Sequence, residues 1–86
     1  MGYNIRFAQQ IEKDLKGIDT KVAREIITKI DRNLSADPYH FGKPLRGRFK
    51  GLYRYRIGDY RVIYSINNNE IYVLILRIGH RKNIYD

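Results

Sequence analysis

Three arginines of this chain can act on one anion. Arg54, Arg56 and Arg61 flank the dipeptide Gly58-Asp59, which reads as the two-residue turn of a β-hairpin. Such a turn fixes the pairing: Ile57 opposite Tyr60, Arg56 opposite Arg61, Tyr55 opposite Val62, Arg54 opposite Ile63 and Tyr53 opposite Tyr64. Arg56 and Arg61 then share one side of the sheet, where like charges placed opposite each other destabilise the pair. Arg54 lies two residues from Arg56 on that side, which brings the three guanidiniums within about 7–8 Å. No acid falls on that face of the hairpin. A guanidinium offers a planar fork of N–H donors that matches phosphate oxygens, often two at a time. The cluster therefore points to a bound anion. The alternative is a solvated face whose long side chains splay apart or pair with acids elsewhere.

Two further side chains carry candidate chemistry. Tyr85 ends a basic tail, where its ring either stacks on a nucleobase or packs back on the core. His80 is either a proton carrier near neutral pH or a solvated side chain. The charge around them is one-sided. Residues 43–82 hold ten of the 17 Lys and Arg residues and two acids, whereas residues 1–42 are nearly neutral, with seven basic residues against six acids. The net charge of +8 thus comes from the half that reads as strands. Basic residues interleaved with Tyr on a sheet suit a polyanion that also carries flat bases.

The elements that must position these residues follow from periodicity. Tyr3, Ile5 and Phe7 alternate with Asn4 and Arg6, a short half-buried strand. Ile11 and Leu15, four apart, mark a short amphipathic helix over residues 8–16 that stops at Gly17. Asp19 or Thr20 caps a second helix, whose stripe is Val22, Ile26, Ile30 and Leu34 with Ala23 and Ile27 beside it. Helices joined this closely form a hairpin, and only a sheet can cover their apolar stripes. Residues 36–50, with both prolines, read as loop. Strands follow over 52–57, 60–66 and 70–78, the last two joined by an Asn67-Asn68-Asn69 turn. The expected fold is α+β, β-α-α-β-β-β, with a two-helix hairpin on one face of a small, mainly antiparallel sheet. Tyr53, Tyr55, Ile57, Tyr60, Val62 and Tyr64 should face the helices. Arg61, on the other face, should then be removable without opening a cavity.

Composition excludes several classes. Eighty-six residues make one domain, 1–86, with a modest core. Zero cysteines exclude a disulfide framework and a thiolate metal site. His40 and His80 have no partner at metal-ligand spacing, so neither metal nor other cofactor is expected. The first residues lack a signal-peptide pattern, and the longest apolar run, 71–76, is too short to cross a bilayer. A cytoplasmic protein is expected.

The run Pro44-Leu45-Arg46-Gly47, the hairpin from Tyr53 to Tyr64 with Gly-Asp-Tyr-Arg at its turn, and the end Ile78-Gly79-His80-Arg81-Lys82-Asn83-Ile84-Tyr85 together resemble the RelE/ParE superfamily of toxins from type II toxin–antitoxin systems. The resemblance covers the whole chain and is closest to RelE-type mRNA interferases. It implies an endoribonuclease that enters the ribosomal A site and cuts mRNA without metal, the ribose 2′-OH attacking the adjacent phosphate. Carried over by position, the catalytic set falls on Arg54, Arg56, Arg61, Arg81 and Tyr85, with His80 as a further candidate. Lys43, Arg46, Arg48, Lys50, Arg77 and Lys82 are the implied wider RNA contacts. RelE itself has lysines at the first two positions, one of them a candidate base. Arginine stays protonated and cannot replace it. Either charge stabilisation carries the reaction, or His80 or a 16S rRNA group moves the proton. ParE-type members, which poison DNA gyrase, share the fold but generally lack this set; a gyrase inhibitor of that type, or a non-catalytic basic nucleic-acid-binding module, is the alternative. The implied partners are the ribosome and mRNA and an acidic antitoxin, with operator DNA bound only through the antitoxin.

Overall fold

The computed structural model describes residues 2–82. Strand β1 (Asn4–Phe7) leads into α1 (Gln10–Lys16), which ends where the Gly17 amide donates to the Asp14 carbonyl and the Ile18 amide to that of Leu15. Phe7, at the end of β1, stays 45% exposed where the chain leaves the sheet for α1. Helix α2 (Thr20–Lys29) is capped by Asp19, whose carboxylate accepts the Lys21 amide. It runs directly into a π-helical turn, Ile30–Leu34. The stripe explains that turn. A strict spacing of four drifts by about 40° per step around a 3.6-residue helix. A wider last turn brings Ile30 and Leu34 back over the sheet. Ile26, Ile30 and Leu34 are almost wholly buried.

The segment read as loop carries more structure than its prolines suggested. Pro38 occupies the first turn of a short helix, α3 (Pro38–Phe41), and Asp37 caps it by accepting the His40 amide. A two-residue strand, β2 (Lys43–Pro44), and a 3-10 turn, Gly47–Phe49, follow. Gly42, between α3 and β2, has no room for a side chain: a Cβ there would lie 1.8 Å from the Tyr64 hydroxyl. That hydroxyl donates to the Pro38 carbonyl at 2.6 Å, so α3 is tied to the middle of the sheet.

β3 (Tyr53–Ile57), β4 (Tyr60–Asn67) and β5 (Tyr72–His80) complete a five-stranded sheet in the order β1-β5-β4-β3-β2. Only the β1–β5 pair is parallel. The β3–β4 pairing is the one the turn dictated, Ile57 opposite Tyr60 through Tyr53 opposite Tyr64. β5 starts at Tyr72 rather than at residue 70, because the turn extends to Ile71, whose φ is +54°. Asn67 steadies that turn by accepting the Glu70 amide.

A bulge interrupts β4–β5: Ile63 pairs with Arg77, but Tyr64 pairs with Ile75, leaving Leu76 as an extra residue. Its effect is to put Val73, Ile75 and Ile78 on the helix-facing side together. The core lies between that side and the helices, built from Ile11, Ile26, Ile30, Leu34, Tyr55, Ile57, Val62, Tyr64, Val73, Ile75 and Ile78.

Candidate anion site on the open face of the sheet

The registers place the basic residues in two rows on the face away from the helices. One row runs Lys43, Arg54, Ile63, Arg77; the next runs Arg56, Arg61, Gly79. Arg56 is exposed and Arg54 half-buried. Among the described residues, the Arg54 Nε is a buried donor without an acceptor. Ion pairs of the described residues join Lys29 to Glu25 and Arg77 to Asp14, leaving Arg54 and Arg56 outside them.

Arg61 departs from the expectation of an outward-splayed side chain. It is 9% exposed, and its guanidinium donates to the carbonyls of Gly58 at 3.3 Å and Tyr60 at 3.2 Å. The arginine therefore folds over its own turn, and Gly79 opposite it offers no side chain to displace it. Removing Arg61 is thus not neutral for the fold. The middle carbonyl of the same turn, that of Asp59, accepts the Arg81 amide at 2.8 Å. One turn thereby orients Arg61 and anchors the backbone that carries Arg81. Arg81 itself is exposed.

The other candidates separate. His80 pairs with Tyr60 on the helix-facing row, its ring edge-on to the Tyr60 ring at 5.7 Å. Its Nδ1 accepts the Lys82 amide at 3.3 Å. The strand thus points His80 and the Arg56–Arg61 pair to opposite faces. Arg46, Arg48 and Lys50 are exposed around the 3-10 turn at the start of β3, the end away from Gly58-Asp59, and Arg48 lies over the Phe49 ring at 5.0 Å. Lys43 bridges the two groups through its pairing with Arg54. Lys82 is exposed beyond the end of β5. Tyr85 lies outside the described residues.

One functional residue went unread in the sequence. β1 releases β5 at Ile75, whose carbonyl takes the Ala8 amide. The strand edge beyond would be unpaired, and α1 fills it. Asp14 accepts the Ile78 amide at 2.9 Å and the Arg77 Nε at 3.1 Å through the same oxygen, while Gln10 donates to its other oxygen at 3.1 Å. Burial alone would raise the Asp14 carboxyl, but those three donors and the Arg77 charge hold it below its ordinary value. Arg77 is correspondingly paired with an acid. The signal in sequence was an acid lying between Ile11 and Leu15 on the apolar side of α1. Among the described residues, no group of three His, Cys, Asp or Glu side chains could hold a metal ion. No helix of the described residues is long and apolar enough to cross a membrane.

A five-stranded, mainly antiparallel sheet with cations gathered on the face away from its helices defines a class. Residues 5–85 match the family described as ParE toxin of type II toxin–antitoxin system, parDE, and the chain belongs to that family. Among curated relatives it is similar to Toxin RelG of Mycobacterium tuberculosis, 34% identical over 99% of this chain and 98% of the relative. Toxin RelE of the same organism is 32% identical over 96% of this chain and 86% of the relative. In structure the chain is similar to the toxin of the toxin–antitoxin complex RelBE2 from Mycobacterium tuberculosis, with a TM-score of 0.90 and 32% identity over 94% of this chain and 100% of that one. The chain is a RelE-family toxin of a type II toxin–antitoxin system.

Proposed function

We propose that this toxin is a ribosome-dependent endoribonuclease that cleaves mRNA in the A site and so blocks translation. The observation that carries the reading is the open-face cluster. Arg56 faces Arg61 in register, and Arg54 beside them holds a buried donor without an acceptor among the described residues. Cations that face each other in register repel, so a phosphate bound over them is favoured. The scissile phosphate is that anion in this reading.

In this reading the 2′-OH of a ribose attacks the adjacent phosphorus, and the bond to the next 5′ oxygen breaks. The products are a cyclic phosphate and a 5′-OH end. Arg61, fixed by two carbonyls, is a preorganised donor for the charge that grows on the phosphate oxygens. Arg54 and Arg56 add charge from the same face, and Arg81, whose amide is held by the Asp59 carbonyl, is the further cation of the set. None of these can accept the proton. His80 is turned to the helix side, so the proton passes to a group outside the chain, such as one of the 16S rRNA. Tyr85 is assigned to base stacking through the family resemblance.

Lys43, Arg46, Arg48, Lys50 and Lys82 extend the basic surface along the RNA, and Arg77 contributes least because Asp14 holds it. An acidic antitoxin neutralises the toxin, in keeping with the complexes in which related toxins are found. Operator DNA is reached only through that antitoxin. The protein works in the cytoplasm, without a cofactor. The family match to ParE toxins supports a second reading, inhibition of DNA gyrase. Primer extension on ribosome-bound mRNA decides between them. New ends within the A-site codon support cleavage, whereas intact message together with gyrase-linked DNA breaks would replace it with the second reading.

A further inference from the structure

The strands of the described residues carry cations but no acid. Arg6, Lys43, Arg54, Arg56, Arg61 and Arg77 lie on them, and none of the five strands contains an Asp or Glu. Asp14 reaches Arg77 from α1, outside the sheet. All of these cations but Arg6 belong to the arginine rows already described. Arg6 shares their face. Ile5 packs against the core, so Arg6 beside it on β1 turns to the open side, where it stands in register with Leu74. Leu74 pairs in turn with Ser65, four residues along β4 from Arg61. Strand rise and spacing set Arg6 roughly 16 Å from Arg61 across one continuous face.

Arg6 is also held in place. Its guanidinium carbon lies over the Tyr72 ring, 3.9 Å from the centroid. Tyr72 is half-buried and Arg6 exposed, so the ring is the floor and the guanidinium the upper layer. Arg6 takes part in neither ion pair of the described residues. A guanidinium is planar and weakly hydrated, and it stacks on nucleobases as it does on side-chain rings. Supported from below by Tyr72, it keeps its other side open to solvent. A face lined with cations and free of strand acids guides a phosphate backbone, and a supported planar group on that face gives a base somewhere to lie. We propose that Arg6, backed by Tyr72, is a stacking platform for an unpaired RNA base at the end of the open face away from the Gly58-Asp59 turn. The inference rests on the arginine face binding RNA. It adds a grip on the strand that does not touch the reacting phosphate.

The test is fluorescence anisotropy of the whole protein with a short oligoadenylate and with an abasic ribose-phosphate strand of equal length. Arg6→Lys keeps the charge and loses the plane. It should weaken oligoadenylate about ten-fold and leave the abasic strand within about two-fold. Arg6→Ala should weaken oligoadenylate at least as much and should also lower the salt slope on the abasic strand by about 0.7. Tyr72→Phe keeps the ring and should bind both strands as the wild type does, whereas Tyr72→Leu should resemble Arg6→Lys. Measured well below the melting temperature of each variant, these losses read the contact and not unfolding. If Arg6→Lys binds oligoadenylate as tightly as the wild type, Arg6 serves phosphate alone and the platform is overturned. Equal loss on both strands in Arg6→Lys overturns it too. If the Arg6 variants weaken only poly-glutamate, the surface belongs to an acidic protein and the inference falls. Failure of the wild-type protein to bind either strand would remove the RNA reading of the whole face with it. Cleavage lost in Arg61→Ala, beside unchanged oligoadenylate binding in Arg6→Lys, would remove this inference and leave the proposed function standing.

Discussion

The two faces of the sheet are made from alternate residues of the same strands. On the helix side, Tyr55, Ile57, Val62, Tyr64, Ile75 and Ile78 are at most 8% exposed. On the open side, the same strands present Lys43, Arg54, Arg56, Arg61 and Arg77. Burial alone does not separate the faces, since Arg61 at 9% is nearly as covered as Ile57 at 8%. What differs is how each is held. Ile57 is fixed by packing within the apolar core, Arg61 by hydrogen bonds to two carbonyls of its own turn. Contacts of the first kind reward removal from water. Those of the second kind fix a direction and keep a charge within reach of a ligand. In the proposed site, one arginine held by two carbonyls is the preorganised donor and Arg54 and Arg56 adjust beside it.

The comparison breaks most visibly on the core side. Ile30→Ala should cost about 2–5 kcal/mol, through lost burial and the cavity left behind. In a domain of this size that lowers Tm by at least about 8 °C. If Ile30→Ala melted within a degree or two of wild type, the helix-facing side would not be the core.

Arg61→Ala should have the next largest effect and should divide differently. Ribosome-dependent cleavage should fall about a hundred-fold or more, as when one transition-state donor is lost. Stability should fall by only about 1 kcal/mol, since relief of repulsion from Arg56 offsets part of the lost hydrogen bonding. Should cleavage disappear only under conditions where the variant is unfolded, Arg61 is structural and the open face loses its main donor.

The Asp14 latch sharpens the comparison through pH. Its carboxyl lies below the ordinary 3.8 in the folded protein. Its stabilisation is therefore complete above the unfolded value and is lost as pH falls from about 4 through the folded value. Acid titration of Asp14→Asn, followed by circular dichroism, should show a shallower loss of stability over that range. Identical acid curves for variant and wild type would show that the latch is not a charge effect.

The smallest effect is expected at His80. Because its ring lies against Tyr60 on the helix side, His80→Ala should cut within a few-fold of wild type. A loss as large as that of Arg61→Ala would instead show that the imidazole reaches the reaction.

Much of this was legible in the residues. The Gly58-Asp59 turn specified five cross-strand pairs, because a two-residue loop leaves the chain no other register. The helix stripe named Ile26, Ile30 and Leu34. Three things escaped. Residues 36–50 looked like loop because Pro and Gly punctuate them, yet Asp37 capping and the Tyr64 hydroxyl order α3 there. Arg61 was assigned to solvent because face parity says nothing about a side chain that turns back on its own carbonyls. Asp14 was passed over because its partner, the Ile78 amide, is 64 residues away and unpaired only because β1 is short. Local pattern fixed which face each residue takes, and long-range backbone accounting decided what it does there.

The extra residue at Leu76 frees the spacing between motifs from the parity of the strand. Val62 and Ile78 are partners, as are Tyr64 and Ile75, so two steps on β4 are matched by three on β5. A chain lacking Leu76 would keep its net charge, its Gly-Asp-Tyr-Arg and its Gly-His-Arg in the same order. If the pairing below residue 75 were kept, Arg77 would follow Ile75 directly and still meet Ile63, and Ile78 would still meet Val62. The faces would be kept with one residue fewer, Ile78 over the helices and Arg77 on the open side. The bulge is thus a place where one residue can be gained or lost without exchanging inside for outside, whereas a single insertion elsewhere in β5 would turn over every side chain beyond it.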